Sequence, residues 1–110
     1  METNWFKEAE ISLTVADKEG KIIYMNDLAN LTFAKYGDLI GRSLYECHSE
    51  NSNSKIKLML KEGSSNIYTI EKLGKKKIII QLPWKNNGIT EGIMELSVVL
   101  PDPLPHFIRE

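Results

Sequence analysis

A chain of 110 residues, 42% hydrophobic and 26% charged, has the size and composition of one folded domain and leaves no room for a second. Its 14 basic and 15 acidic residues give a formal net charge of −1, which excludes bulk electrostatic attraction to nucleic acid or anionic lipid and leaves partners to be recognised by shape. A single cysteine excludes an internal disulfide, no apolar run approaches the roughly 20 residues of a membrane helix, and the start Met-Glu-Thr-Asn-Trp-Phe-Lys-Glu lacks signal-peptide character, so a cytoplasmic home is expected.

Residues 3–10 are predicted as a short helix, capped by Thr3 or Asn4, with Trp5, Phe6 and Ala9 on a rough apolar face. Two aromatics so close to a terminus need cover, either from the chain's own sheet or across a dimer interface. Residues 11–16 are β-prone, and Asp17-Lys-Glu-Gly20 supplies turn chemistry: an Asx acceptor, then a glycine able to take positive φ. The return strand, 21–25, ends at Asn26, whose side-chain oxygen can cap the next helix at a value of about 1 kcal/mol.

Leu28, Leu31 and Thr32 then recur at helical spacing, with Ala29 and Phe33 beside them and Gly37 as the stop. Residues 38–41 form one further turn and 42–48 another helical stretch. The Ser- and Asn-rich run 49–54 reads as a loop closing with an N-cap at Asn53 or Ser54. The longest helix follows, with Ile56, Met59 and Leu60 on one face and Gly63 just beyond its end. The remainder is sheet: strands over 67–73, 77–84 and 91–100, with turns at Gly74-Lys75 and Asn86-Asn87-Gly88. Ile78-Ile79-Ile80 is apolar on both faces and predicts a strand covered on both sides, by the N-terminal helix, a second subunit, or both. Lys75-Lys76-Lys77 reads as a solvated hairpin tip.

Short local connections predict an α+β domain, an antiparallel sheet with its helices segregated to one face. The Asp17-x-x-Gly20 turn, Tyr24-Met-Asn26-Asp-Leu-Ala29 and Leu39-Ile40-Gly41-Arg42-Ser43, in this order, resemble the first half of a PAS sensory domain, and the likeness spans residues 11–100. It leaves residues 1–10 as an N-terminal helical cap and 101–110 as a proline-containing tail. The resemblance implies the PAS fold, a five-stranded antiparallel sheet of order 2-1-5-4-3, with a ligand or cofactor cavity between sheet and helices. Cavity-lining candidates are Met25, Phe33, Tyr36, Cys47, His48, Met59, Tyr68, Ile70, Gln81 and Trp84, a set as apolar and sparsely polar as small-molecule sites usually are. Each has an alternative as ordinary packing.

Light-sensing flavin proteins of this superfamily carry a reactive cysteine in Gly-x-Asn-Cys-Arg-Phe-Leu-Gln. Here Gly41-Arg42-Ser43-Leu44 puts leucine at that position and Cys47 three residues later, which speaks against a photochemical adduct and leaves non-covalent flavin open. Haem is a second option, through His48, although that residue precedes the long helix where haem-binding members place their ligand. His106, in the tail, is a poorer choice. Cys47-His48 also resembles a Cys-His-Pro sequence of some bacterial PAS domains, with Ser49 in place of proline. One cysteine and two histidines fall short of a structural zinc site, and neighbours on a helix point about 100° apart, so Cys47 and His48 do not form a catalytic pair. No phosphate loop, nucleophile elbow or paired-histidine metal helix is present in the sequence, and a non-enzymatic role is expected. Glu95, between Met94 and Leu96, is the one acid with a route inward, but a solvent-facing position is the expectation.

Pro101, Pro103 and Pro105 cannot continue a helix, so the tail is expected to be extended, a docking arm or a clasp pinned by Phe107. The coiled connection to an output domain is absent from these residues. The functional expectation is a stand-alone sensory module that binds a small molecule and signals through a homodimer or a partner protein. Its alternatives are a ligand-free interaction module and a small haem- or flavin-bearing redox sensor.

Overall fold

The computed structural model describes residues 4–46 and 49–110. β1 (Ser12–Asp17) and β2 (Ile22–Met25) form a hairpin that leads into α1 (Asp27–Thr32), single 3-10 turns at Ala34–Tyr36 and Leu44–Glu46, and α2 (Glu50–Glu62). β3 (Asn66–Lys72), β4 (Lys75–Asn86) and β5 (Ile89–Val99) follow. All strand pairs are antiparallel, in the order β2-β1-β5-β4-β3, which is the expected topology. The two late hairpins turn on Leu73-Gly74 and Asn87-Gly88, with φ of 54° and 75°, then 52° and 80°. Both central residues are left-handed in each, the geometry that matches strand twist in tight hairpins. Among the described residues, no helix is long and apolar enough to cross a membrane.

Register sorts the side chains into two faces. Thr14 lies opposite Glu95, Glu95 opposite Gln81, Gln81 opposite Asn66, and Tyr68 opposite Ile79. Because successive residues alternate, these share the face with Ala16 and Ile93, which pack in the core with Ile22, Met25, Ala29, Leu39, Leu44, Ile56 and Met59. Leu13, Leu96, Ile80 and Met94 alternate onto the other face. The core therefore occupies only part of the space between sheet and helices, around β1, β2 and the start of β5. Where the sheet continues towards β3, α2 borders it through Ser52 and Lys55, across a space lined also by Asn66, Tyr68 and Gln81.

The stretch around Gly41-Arg42-Ser43 closes an edge. Ile22 N–H donates to the Arg42 carbonyl at 2.8 Å, Gly41 N–H to the Ile22 carbonyl at 2.8 Å, and Leu44 N–H to the Gly20 carbonyl at 2.7 Å. The outer edge of β2 is thereby occupied by the chain's own backbone, which blunts it as a template for other strands.

Four expectations need correction. Residues 4–10 form loose turns rather than a helix, because their carbonyls are taken elsewhere: the Phe6 carbonyl accepts from Asn26 Nδ2 at 2.8 Å and the Lys7 carbonyl from Asp27 N–H at 2.9 Å. Phe6 does pack on the sheet, edge-on to Tyr24 with ring centroids 5.6 Å apart, but Trp5 is 81% exposed. The long helix starts earlier than expected, since Ser49 Oγ accepts from Ser52 N–H at 3.3 Å and so caps it, while the Asn53 amide donates to the Tyr45 carbonyl at 3.0 Å. Finally, Phe107 is 71% exposed and stacks beneath its neighbour Arg109 rather than pinning the tail.

Candidate functional site

Two cavities meet beneath α1 and the turn that follows it. The first, about 170 Å³, is mostly apolar and lined by Ile22, Met25, Phe33, Leu39 and Leu44, with Thr14 and Glu95 at its polar end. The second, about 180 Å³, shares Thr14, Phe33 and Glu95 and runs on past Ser12, Ser97, Tyr68, Ile70 and Ile79 to Lys72 and Lys77. A third space of about 220 Å³ adjoins it through Tyr68 and is lined by Ser52, Lys55, Asn66 and Gln81. Phe33 thus overhangs a floor whose midpoint is a carboxylate.

That carboxylate is positioned by a polar row across four strands. Asn66 Nδ2 donates to Gln81 Oε1 at 3.0 Å, and Gln81 Nε2 donates to Glu95 Oε2 at 3.2 Å. The direction is dictated chemically: an ionised carboxylate only accepts, so Gln81 turns its NH₂ to Glu95 and its oxygen to Asn66. Gln81 is buried and both of its amide ends are engaged, which fixes the side chain and through it Glu95. Thr14 completes the row on β1.

Partial burial raises the Tyr68 hydroxyl above its ordinary pKa of 10.0, and the nearby Glu95 charge pushes the same way. Tyr68 is therefore a neutral phenol, able to donate, throughout the physiological range. A folded-state pKa above the unfolded one gives stability that is complete below about pH 10 and is lost as pH rises through the folded value. Urea denaturation between pH 8 and 12 is expected to show that decline, and Tyr68→Phe should flatten it.

Larger concavities lie elsewhere. One of about 500 Å³ separates the β3–β4 hairpin from the tail, between Glu71, Lys75, Lys76, Asp102 and Leu104. Another, about 460 Å³, is a shallow trough beside Glu8, Glu10 and Leu31. Among the described residues neither has a floor of mutually hydrogen-bonded side chains, which is what makes the sheet-side cleft the better candidate.

No family model matches the sequence, and no curated protein does. Solved structures do match. The PAS domain of the histidine kinase ThkA aligns with a TM-score of 0.66 and 21% identity, over 82% of this chain and 99% of that one. A PAS domain from Colwellia psychrerythraea gives 0.66 and 16%, over 86% and 90%. The Aer2 receptor from Vibrio cholerae, described as a dual PAS-heme oxygen sensor, gives 0.60 and 14%, over 83% and 95%. The chain has a PAS-type fold.

Within this PAS-type domain the residues singled out from sequence separate clearly. Met25, Phe33, Tyr68, Ile70 and Gln81 line the joined spaces. Met59 is a core residue on α2, and Tyr36 is exposed, with its ring facing Phe33 at 6.4 Å and Lys35 5.0 Å above it. Trp84 is on the far face of the sheet, where its indole N–H crosses β5 to donate to the Ala16 carbonyl at 3.0 Å. Cys47 and His48 lie outside the described residues. Leu44, which stands where flavin photosensors carry cysteine, has a buried aliphatic side chain against the apolar cavity.

Glu95 was expected to face solvent and instead faces the cleft, while Thr14, Ser12, Ser97 and Lys77 were not foreseen as lining it. The usable signal was alternation. Ser12 and Thr14 flank Leu13, and Glu95 and Ser97 flank Leu96, while the same stripes continue into Ala16 and Ile93, small or apolar residues that must face the helices. Following the stripe to its apolar end would have turned Glu95 inward.

Proposed function

We propose that this PAS-type domain is a sensory module that takes a small molecule into the cleft under Phe33 and passes the signal on through protein contacts, with no catalytic step of its own. The observation that carries this reading is the hydrogen-bonded row Asn66–Gln81–Glu95 on the floor of adjoining cavities. A fixed carboxylate facing a concave space is a recognition group, and a domain filling its own centre would place apolar side chains there.

Native mass spectrometry of the freshly purified protein is expected to show a bound small mass. Phe33→Trp, which extends the ring over the shared mouth, should abolish that mass while leaving the circular dichroism unchanged. A protein whose mass equals that of the bare chain, with no difference between wild type and Phe33→Trp in any added ligand's binding, would remove this reading. An absorption spectrum of the same sample tests haem and flavin directly.

A ligand-free interaction module is the second reading. Leu96, Ile80, Met94, Val98 and Leu82 form an apolar stripe on the far face of β4 and β5, and the exposed Trp5 sits in the segment that packs beside β2. Sedimentation equilibrium distinguishes it: under this reading Ile80→Lys dissociates a dimer and has no effect on small-molecule binding.

A further inference from the structure

Two features lie outside the cleft and its floor: an open sheet edge at β3, and a tail, 101–110, exposed along its whole length. We propose that they meet between two copies of this chain: residues 104–108 of a second copy add to β3 as a sixth, antiparallel strand and bring Phe107 beside Tyr68.

The hydrogen bonding of β4 shows what β3 offers. Leu100 N–H donates to the Lys76 carbonyl at 2.9 Å, so Lys76 spends its backbone groups on β5. Those directions alternate along a strand, and Lys75, Lys77, Ile79 and Gln81 therefore turn theirs to Lys72, Ile70, Tyr68 and Asn66 opposite them. Ile67, Thr69 and Glu71 are left aiming their N–H and C=O groups off the sheet, and among the described residues nothing pairs with them.

The tail fits such an edge on one side only. In extended backbone Pro103 and Pro105 turn a side without N–H one way, while Leu104, His106 and Ile108 present intact backbone groups the other way. With the proline side outermost, no further strand is recruited there. The antiparallel register that sets His106 opposite Thr69 puts Ile108 beside Ile67 on the far face, and Phe107 beside Tyr68 with Pro105 beside Ile70 on the cleft face. These are apolar surfaces left uncovered in the single chain: Ile67 is 58% exposed, Tyr68 42%, Phe107 71% and Ile108 86%. A parallel strand would instead bring Ile108 to Glu71 and Arg109 to Lys72, a like-charge pair. Since Tyr68 and Ile70 line the second cavity, the second copy's tail extends the wall of the cleft.

The chain's own tail does not reach. From Leu100, level with Lys76, it would have to round the hairpin tip, cross three strand spacings and return to the level of Glu71, roughly 28 Å or about eight residues at about 3.3 Å each. That path uses up the segment that has to pair.

Single-cysteine variants in a Cys47→Ser background test the arrangement. Thr69→Cys and His106→Cys, mixed and mildly oxidised, are expected to give a covalent dimer holding one chain of each, because directly opposed strand residues lie within disulfide range. Each variant alone should cross-link far less. Equal cross-linking of Thr69→Cys by itself means that two β3 edges pair with each other, and overturns the proposal. So does a double variant, Thr69→Cys with His106→Cys, that closes only an intramolecular disulfide. Thr69→Pro removes an outward N–H and spares the β4 ladder, so circular dichroism should be unchanged while the dimer dissociation constant from sedimentation equilibrium rises roughly tenfold or more, as it should for Phe107→Asp. A wild-type chain that stays monomeric at millimolar concentration, or a dimer that withstands both substitutions and is lost only with Ile80→Lys, also overturns it.

Discussion

Replacing Asn26 with alanine is expected to lower the stability of the fold by about 3–5 kcal/mol, several times the value of an ordinary helix cap. Asn26 is 0% exposed, and its side chain makes four hydrogen bonds. Its oxygen accepts from Leu13 N–H at 3.0 Å and Ala29 N–H at 3.1 Å, and its nitrogen donates to the Phe6 and Ile11 carbonyls at 2.8 Å each. One amide therefore ties the N-terminal segment, β1 and the start of α1 together. Alanine strands two donors and two acceptors at about 1–3 kcal/mol for each one that water does not rescue. Against a total stability of roughly 5–15 kcal/mol, this leaves a marginal protein. Asn26→Asp is the sharper comparison. Aspartate caps helices as well as asparagine does, yet it cannot donate to Phe6 and Ile11 and sets a negative charge against their oxygens. Urea denaturation within about 0.5 kcal/mol of wild type for Asn26→Asp would reduce this residue to a cap.

Gly92→Ala is expected to be comparably severe, at about 3–5 kcal/mol, or roughly a 12–20 °C fall in melting temperature for a chain of this size. The cause is contact rather than backbone conformation. A β-carbon at Gly92 would collide with the Ala16 carbonyl on one side and the Trp84 indole nitrogen on the other. Those are the two ends of the hydrogen bond that Trp84 makes across β5. The Ala16 oxygen belongs to a paired strand and cannot swing aside, so the β1–β5 register has to shift or Trp84 has to leave. Trp84→Ala combined with Gly92→Ala should recover more than about 1 kcal/mol of the summed single losses. Simple additivity in a thermal-melt cycle would show that the two residues do not share a site.

The sequence announced the architecture because its early signals are local. Asp17 and Gly20 make a turn wherever they stand: Asp17 Oδ1 accepts from Glu19 N–H and Lys21 N–H, each at 2.9 Å. Asn26 was legible as a cap for the same reason, since Ala29 is three residues away, but its bonds to Phe6, Ile11 and Leu13 cross the chain and leave no local trace. The N-terminal helix was misread for the converse reason. Its periodicity was adequate, and tertiary partners took its carbonyls. The site was harder still. Whether Glu95 faces helices or solvent depends on which face of β5 the helical layer covers, and that is decided by Ala16 and Ile93 pairing two strands that are far apart in sequence. Trp84, one of the cavity-lining candidates, is on the far face, where it lies opposite Gly92 and its indole fills the room a β-carbon there would take.

The central place of β5 also sets an order of events. β1 is made well before its inner partner, residues 92–97, with most of the domain's chain between them. Until those residues emerge, β1 has only the short β2 beside it, and the floor of the cleft lacks Glu95. Loop closure over most of the chain has to come before the two halves of the sheet can reward each other. The domain should thus fold as a unit once residues 92–97 are available to β1, with the cleft and the sheet register appearing in the same kinetic step.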